Sequence, residues 1–337
     1  MFRLLRLKKW VVLAAALLIP LSCAVTIHFA SAQQTEAAAG EDYIRWVDFT
    51  PTYAAMRAAL DMDMATVEKE VHLNWIELLA YLGTRYGGDF SRYRYSNLCD
   101  IRKKLETGAT MEELMQDNKY YQYYLDVYTA VLGKMVGNYQ WVHEDDSGKE
   151  IVETGYGLIA FSPIARGFGY SHYDDFGSAR SYGYRRNHLG NDLMASVGTP
   201  VVAVESGTVE AIGWNQYGGW RIGIRSMDGL RYYYYAHMQK GHPYVKGLEE
   251  GSHVEAGDVT GYVGMTGYST REDTNGMNVP HLHFGIQLIF DESQKEGNNE
   301  IWIDCYNIVE LLSSRRSSVA ATEEGEYARK YPFAPIE

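Results

Sequence analysis

Residues 221–235 read RIGIRSMDGLRYYYY, two short runs rich in β-branched and aromatic residues on either side of Asp228-Gly229. An Asp-Gly pair between two such runs is typical of the turn of a β-hairpin. Similar short runs occupy residues 201–204 and 208–212, and glycines are frequent between them. Short strands at regular spacing with glycine turns predict an antiparallel β-domain that extends to about residue 289.

The first half of the chain has a different pattern. Apolar residues recur three and four positions apart from about residue 43 to residue 139, which predicts amphipathic helices. One helix is predicted to end at Gly87-Gly88, and a capping box of Thr110 and Glu113 predicts the start of another. The apolar stripes are Val67, Val71, Trp75, Leu78, Leu79 and Leu82; Leu98, Ile101 and Leu105; and Tyr121, Tyr124, Leu125, Tyr128, Leu132 and Met135.

Together these patterns predict an α+β protein with a helical domain over residues 43–142 and an antiparallel, β-rich domain over residues 150–315. A last helix, over residues 301–313, is expected to pack against the β-domain. The length of 337 residues fits about two domains.

Residues 1–32 have the pattern of a membrane anchor or of a cleaved signal peptide. The apolar run over residues 10–30 is long enough to span a hydrocarbon core of ~30 Å as a helix. Ala30-Ser31-Ala32 instead fits a signal-peptide cleavage site. Both interpretations place the rest of the chain outside the cytoplasm, because the run follows four basic residues, Arg3, Arg6, Lys8 and Lys9.

Charge and cysteine content argue against several kinds of partner and against one kind of metal site. The formal net charge of -12 argues against nucleic acid as a partner, and against electrostatic docking on an anionic membrane. Three cysteines occur, Cys23, Cys99 and Cys305, and no CxxC pair exists, which argues against a thiolate zinc site. Cys99 and Cys305 could form a disulfide outside the cytoplasm or remain two buried thiols.

Two histidine motifs predict a metal site. In His281-Leu282-His283, strand alternation places both imidazoles on one face. His188 and Asp192 would lie ~13 Å apart in a fully extended chain, so the segment must bend at Gly190-Asn191 for both to reach one ion. Two imidazoles and one carboxylate give three protein ligands and leave a fourth zinc position for water, the arrangement of catalytic sites.

Five motifs follow one another along the β-domain. They are HxxxD at residues 188–192, Gly-Thr-Pro-Val at 198–201, Tyr-Ala-His at 235–237, Thr-Gly-Tyr-Ser at 266–269 and Pro-His-Leu-His-Phe at 280–284. Over about residues 183–287 this order resembles the lysostaphin-type zinc metallopeptidases that cleave peptidoglycan. The resemblance implies a lysostaphin-like catalytic domain, with the duplicated hybrid motif of that family, acting on peptidoglycan peptides.

The resemblance also implies roles for six residues. His188, Asp192 and His283 correspond to the ligands of one zinc ion per chain. His237 and His281 correspond to the two catalytic histidines beside the metal. The loop at residues 213–219, GWNQYGG, resembles the family loop whose tyrosine stabilises the oxyanion, which here is Tyr217. The stretch over residues 271–279 is longer than is usual in the family, and we expect it to reshape one wall of the cleft.

Two functions are compatible with this pattern. One is an active cell-wall endopeptidase, and the other is a catalytically silent envelope scaffold or activator of another wall hydrolase. The complete set of ligands and both accessory histidines favour the enzyme. The helical segment could bind an envelope protein or cover the cleft, and its sequence does not distinguish these roles from plain packing.

Overall fold

A computed structural model describes residues 43–145 and 147–336 of the protein. The predicted signal or anchor segment, residues 1–32, lies outside the described residues. Ile44–Glu337 form one compact unit. Within the described ranges, no helix has the length and apolarity needed to cross a membrane.

The helices lie mainly in the first third of the described chain, as the sequence predicts. Thr52 and Asn74 cap α1 and α2 with their side chains, and Gly87 ends α2 in the left-handed conformation with a φ of 62°. The predicted capping box of Thr110 and Glu113 opens α4. The helix bounds are α1 Tyr53–Met64, α2 Trp75–Tyr86, α3 Tyr95–Glu106, α4 Met111–Met115, α5 Tyr121–Leu132 and α6 Tyr306–Leu312.

Two of the helix predictions are wrong at their edges. Val67 and Val71 lie in the turn between α1 and α2, because Asp63 accepts a hydrogen bond from the Trp75 N–H and holds that turn closed. The helical pattern expected to reach residue 139 ends at Leu132, and residues 136–139 belong to the first strand. The division into a helical domain over residues 43–142 and a second domain over residues 150–315 remains a proposal.

Seventeen strands occur in the described residues, and every pairing between them is antiparallel. Their bounds are β1 Val136–Glu144, β2 Glu150–Leu158, β3 Ser171–His172, β4 Ala179–Tyr182, β5 Tyr184–Asn187, β6 Asn191–Met194, β7 Pro200–Val202, β8 Gly207–Asn215, β9 Gly219–Ser226, β10 Arg231–Ala236, β11 His253–Val254, β12 Val259–Tyr262, β13 His281–Leu288, β14 Ile301–Ile303, β15 Val319–Ala321, β16 Tyr327–Arg329 and β17 Phe333–Ile336.

The main sheet has the strand order β11-β8-β9-β10-β13-β6-β3, with β14 also paired to β13. β9 and β10 form the predicted hairpin around Asp228-Gly229. Smaller sheets are β17-β1-β2, β12-β7, β15-β16 and β4-β5. The predicted last helix begins later than expected, because residues 301–303 pair with β13 as an edge strand before α6 starts.

The helices and the main sheet share one hydrophobic core, which contains Leu79 and Val131 from the helices and Phe284 from β13. A hydrogen bond from a buried arginine on the sheet also joins them. Arg231 on β10 is fully buried, makes two hydrogen bonds to the Glu205 carboxylate, and donates to the carbonyl of Ala130 at the end of α5 at 2.6 Å. The helical region is therefore packed against the sheet that carries the candidate site.

Candidate metal centre and cleft

Strand β13 carries the HxH motif as the sequence predicts. His281 and His283 both line the same cleft, while Leu282 between them is fully buried in the core. β13 pairs with β6 so that His283 lies directly opposite Asp192. The pleat of β13 and its register with β6 together bring the HxH motif to the carboxylate.

The chain bends between His188 and Asp192, as the sequence predicts. His188 Nε2 lies 3.1 Å from Asp192 Oδ1. Gly190 makes the bend fit against β13, because a Cβ at this position would lie 2.4 Å from the Phe284 carbonyl oxygen and 2.9 Å from the His283 ring. Any larger residue at 190 would push the segment away from the cluster.

His188, Asp192 and His283 form a group that fits a metal ion. Nε2 of His188 lies 2.7 Å from Nδ1 of His283, which in turn lies 3.4 Å from Asp192 Oδ1. Donor atoms bound tetrahedrally at ~2.0–2.1 Å from one zinc ion would be ~3.3 Å apart. The spacing and chemistry of these three donors therefore fit zinc.

The charge states of Asp192 and His283 also suit a cation. Burial by itself would raise the pKa of the Asp192 carboxyl, but hydrogen bonds from His188 and His283 outweigh it and hold the pKa below its usual range. Burial lowers the pKa of His283, only partly offset by the neighbouring carboxylate. The group thus contains an anionic carboxylate and a neutral imidazole, both of which bind metal ions.

Asp175 and Arg180 also contact this group, and neither belongs to the motifs that predicted the metal site. The Asp175 carbonyl oxygen lies 3.1 Å from Nδ1 of His188, so it can accept the proton there and leave Nε2 for an ion. The Asp175 carboxylate accepts hydrogen bonds from the Asp192 N–H at 3.2 Å and from Arg180 at 2.5 Å. Arg180 also donates to Asp192 at 3.0 Å. Asp175 lies beside Asp174 in the segment between β3 and β4.

His237 and His281 lie beside the group without belonging to it. Their ring centroids are 4.8 Å apart. Nδ1 of His237 lies 2.7 Å from the Thr266 carbonyl, and Nδ1 of His281 lies 2.8 Å from the Val279 carbonyl. Each Nδ1 therefore carries the proton in the neutral ring, which leaves Nε2 as a proton acceptor. Burial lowers the pKa of His237 well below its usual value and keeps the ring neutral.

Tyr217 lies in the wall of the same cleft, which has a volume of about 140 Å³ and is lined by all six residues predicted from the sequence. Tyr268 and Arg186 complete this wall. The backbone of Gly267 approaches the site closely, since a Cβ there would lie 2.5 Å from the Tyr217 carbonyl oxygen and 3.0 Å from Nδ1 of His237. Met277, from the longer stretch over residues 271–279, also lines the cleft.

Cys99 and Cys305 are both free thiols, and Cys305 is fully buried. The sequence left open whether these two cysteines form a disulfide or remain thiols, and in the structure they are unpaired.

Residues 186–297 match the family described as Peptidase family M23. This chain carries a peptidase M23 domain. The domain contains His188, Asp192, Tyr217, His237, His281 and His283, whereas Asp175 and Arg180 precede it.

Several proteins are similar to the M23 domain. The L-Ala--D-Glu endopeptidase of Bacillus subtilis (strain 168) is 44% identical over 117 residues, 35% of this chain and 34% of that protein. Lysostaphin of Staphylococcus simulans is 40% identical over 98 residues, 29% of this chain and 17% of that protein. The glycyl-glycine endopeptidase ALE-1 of Staphylococcus capitis is 39% identical over 99 residues, 29% of this chain and 24% of that protein. The chain therefore spans about a third or less of the length of these relatives.

A solved structure resembles the fold beyond the M23 domain. The lytM crystal structure from Ruminococcus gnavus ATCC 29149 has a TM-score of 0.52 and is 24% identical. The match covers 84% of this chain and 94% of that one. The shared fold therefore includes regions outside the M23 domain.

Proposed function

We propose that this protein is a zinc-dependent endopeptidase that hydrolyses peptide bonds in bacterial peptidoglycan outside the cytoplasm. The observation that carries the proposal is the convergence of His188, Asp192 and His283 in one cleft of an M23 domain. Relatives named as an L-Ala--D-Glu endopeptidase and as a glycyl-glycine endopeptidase support peptide hydrolysis as the activity. The predicted signal or anchor at residues 1–32 supports a location outside the cytoplasm.

His188, Asp192 and His283 would hold the zinc ion. When bound, zinc acts as a Lewis acid towards a carbonyl and lowers the pKa of water towards ~7. Asp175 would orient His188 by accepting the proton on Nδ1 of that histidine at its carbonyl oxygen. Arg180 would hold Asp192 by donating a hydrogen bond to Oδ2. These two residues would fix the direction of the ligands before an ion binds.

His281 and His237 would move protons in the reaction. Nε2 of His281 is buried and accepts no hydrogen bond from the described residues, and it lies 3.8 Å from Asp192 Oδ1. We assign His281 to accept a proton from the attacking water and pass it to the leaving amine. His237, held neutral by burial, and Tyr217 would stabilise the oxyanion that develops on the scissile carbonyl.

Digestion of purified peptidoglycan, with mass spectrometry of the fragments, tests the proposal. We expect soluble peptide fragments, loss of activity with a chelator, and recovery with added zinc. Circular dichroism should change little on chelation, because the β-domain has its own apolar core. Binding to walls without cleavage by folded, zinc-loaded protein would instead indicate a catalytically silent scaffold.

A further inference from the structure

Arg186 lies on β5, in the wall of the cleft, and part of its guanidinium has no hydrogen-bond partner. Its Cζ is 5.0 Å from the ring centroid of Tyr217 and also 5.0 Å from that of Tyr268. Nη2 donates to the Tyr268 hydroxyl at 2.8 Å. Nη1 is buried and donates to no acceptor among the described residues. Buried donors in native proteins are nearly always paired, so Nη1 is a donor available to a bound group.

The charge of Arg186 is also uncompensated in the described part of the chain. Arg180, on the same hairpin, pairs with Asp175 and Asp192. No carboxylate among residues 43–145 and 147–336 lies within 4.0 Å of the Arg186 guanidinium nitrogens. Although the chain has a net charge of -12, the unpaired guanidinium of Arg186 is a local positive charge inside the cleft, and it can attract an anion there.

The tyrosine rings fix the direction of this cation. Tyr268 stacks on Tyr182 with ring centroids 5.1 Å apart and an interplanar angle of 8°. Arg186 is therefore held between rings that are themselves packed. A guanidinium held in one orientation can present a planar pair of N–H donors, the arrangement that matches a carboxylate.

Arg186 lies close enough to the histidines to contact a substrate residue near the scissile bond. The Tyr268 ring, which Arg186 contacts, is 6.0 Å from the His237 ring. An extended peptide advances ~3.3–3.6 Å per residue, so a group one to three residues from the reacting carbonyl can reach Arg186.

We propose that Arg186 binds a carboxylate of the substrate peptide next to the scissile bond, so that the site selects acidic peptides over neutral ones. This inference rests on the proposed peptidase function and names its substrate class. The carboxylate would complete the hydrogen bonding of Nη1 and neutralise the charge of Arg186. A carboxamide of the same shape would offer one oxygen and no charge.

Two synthetic peptides containing L-Ala–D-Glu test the inference, one with the free carboxylate on D-Glu and one with a carboxamide in its place. We expect the zinc-loaded protein to show a kcat/KM at least about tenfold higher for the carboxylate peptide. In Arg186→Gln this ratio should fall towards one, mainly through a higher KM. Arg186→Lys keeps the charge without the planar donors and should give an intermediate ratio.

The neighbouring Arg185 provides the matched control. It is exposed and does not line the cleft, so Arg185→Gln removes the same charge one position away and should leave the ratio unchanged. A wild-type ratio near one, or a ratio that survives in Arg186→Gln, would overturn the inference.

Binding measurements separate this inference from the proposed function. The His281→Ala variant should bind the carboxylate peptide at least about tenfold more tightly than the carboxamide, and addition of Arg186→Gln should remove the difference. Selective binding without hydrolysis by the wild-type protein would refute the peptidase and support the role of Arg186. Hydrolysis with equal binding of both peptides would refute the role of Arg186 alone.

Discussion

Asp175 contacts His188 twice: its carbonyl oxygen lies 3.1 Å from Nδ1, and its carboxylate Oδ2 lies 3.3 Å from the same atom. The opposite nitrogen of His188 points at Asp192 and His283. Burial of His188 disfavours its charged form, but the hydrogen bonds and charges of Asp175 and Asp192 outweigh this and raise its pKa to about 9. Asp175 therefore helps to set both the orientation and the basicity of His188.

Replacement of Asp175 by Asn should weaken zinc binding by roughly 10- to 100-fold, the usual effect of removing a carboxylate that supports a ligand histidine. Competition with a chromogenic chelator measures this affinity. Asp174 is exposed and adjacent, so Asp174→Asn is the matched control and should bind zinc like the wild type. Equal affinities in the two variants would contradict the role assigned to Asp175.

His281 and His283 are two residues apart on β13, yet their loss should have different effects. His283 Nδ1 lies 2.7 Å from His188 Nε2, whereas His281 Nε2 lies 3.8 Å from Asp192 Oδ1 and is outside the group of His188, Asp192 and His283. His283→Ala should lose zinc. His281→Ala should keep one zinc per chain and lose hydrolysis. Metal analysis of both purified variants checks this, and equal zinc contents would show that the assignment within the motif is wrong.

The HxH motif could be placed from the sequence because strand alternation is a local rule. The bend between His188 and Asp192 was also predictable, since an extended segment cannot bring both to one ion. Asp175 and Arg186 could not be placed in this way. Their contacts, to His188 in one case and to Tyr217 and Tyr268 in the other, depend on how the β4-β5 hairpin folds over the cleft.

The wrong helix bounds have a similar cause. The buried Asp63 accepts hydrogen bonds from Trp75 N–H and from the Tyr156 hydroxyl, and these contacts accompany the turns and bends of residues 65–71. β1 starts at Val136 because it pairs with β2 and with β17, and β17 lies about 200 residues further along the chain. An apolar repeat at helical spacing contains no information about such distant partners.

Tyr217→Phe tests the oxyanion role proposed for Tyr217. The ring would remain against Arg186, so the substitution removes only the hydroxyl. We expect kcat to fall roughly 10- to 1000-fold, the range for loss of one oxyanion donor. KM should change little, because such a bond matures only in the transition state. A normal kcat with a raised KM would make Tyr217 a substrate-positioning residue instead.

Arg231→Met should destabilise the fold strongly, because it leaves the buried Glu205 carboxylate without its cation. The expected loss is about 3–5 kcal/mol in the free energy of unfolding, measured by urea denaturation. Arg57→Met provides the control, since Arg57 pairs with Asp61 on the exposed face of α1. That substitution should cost less than about 1 kcal/mol. Similar losses in both variants would argue against a stabilising role for the buried Arg231–Glu205 pair.

His172 should make the folded protein sensitive to acid. Its ring stacks on Tyr306 with centroids 4.3 Å apart, and its Nε2 is buried without a partner among the described residues. Burial lowers the pKa of His172 to about 4, although the charge of Asp175 opposes the shift. A histidine whose folded pKa is depressed stabilises the protein above its unfolded pKa of ~6.5, and this stability is lost as the pH falls towards the folded pKa.

His172→Phe keeps an aromatic ring on Tyr306 and removes the titration. Relative to the variant, the wild type should lose stability between about pH 6.5 and pH 4, by about 1–2 kcal/mol after allowance for partial exposure. Urea denaturation of both proteins across this range, with zinc chelated throughout, measures the difference. His253 is exposed, and His253→Gln should follow the wild-type profile. If the His172→Phe profile stays parallel to the wild type down to pH 4, the acid sensitivity does not come from His172.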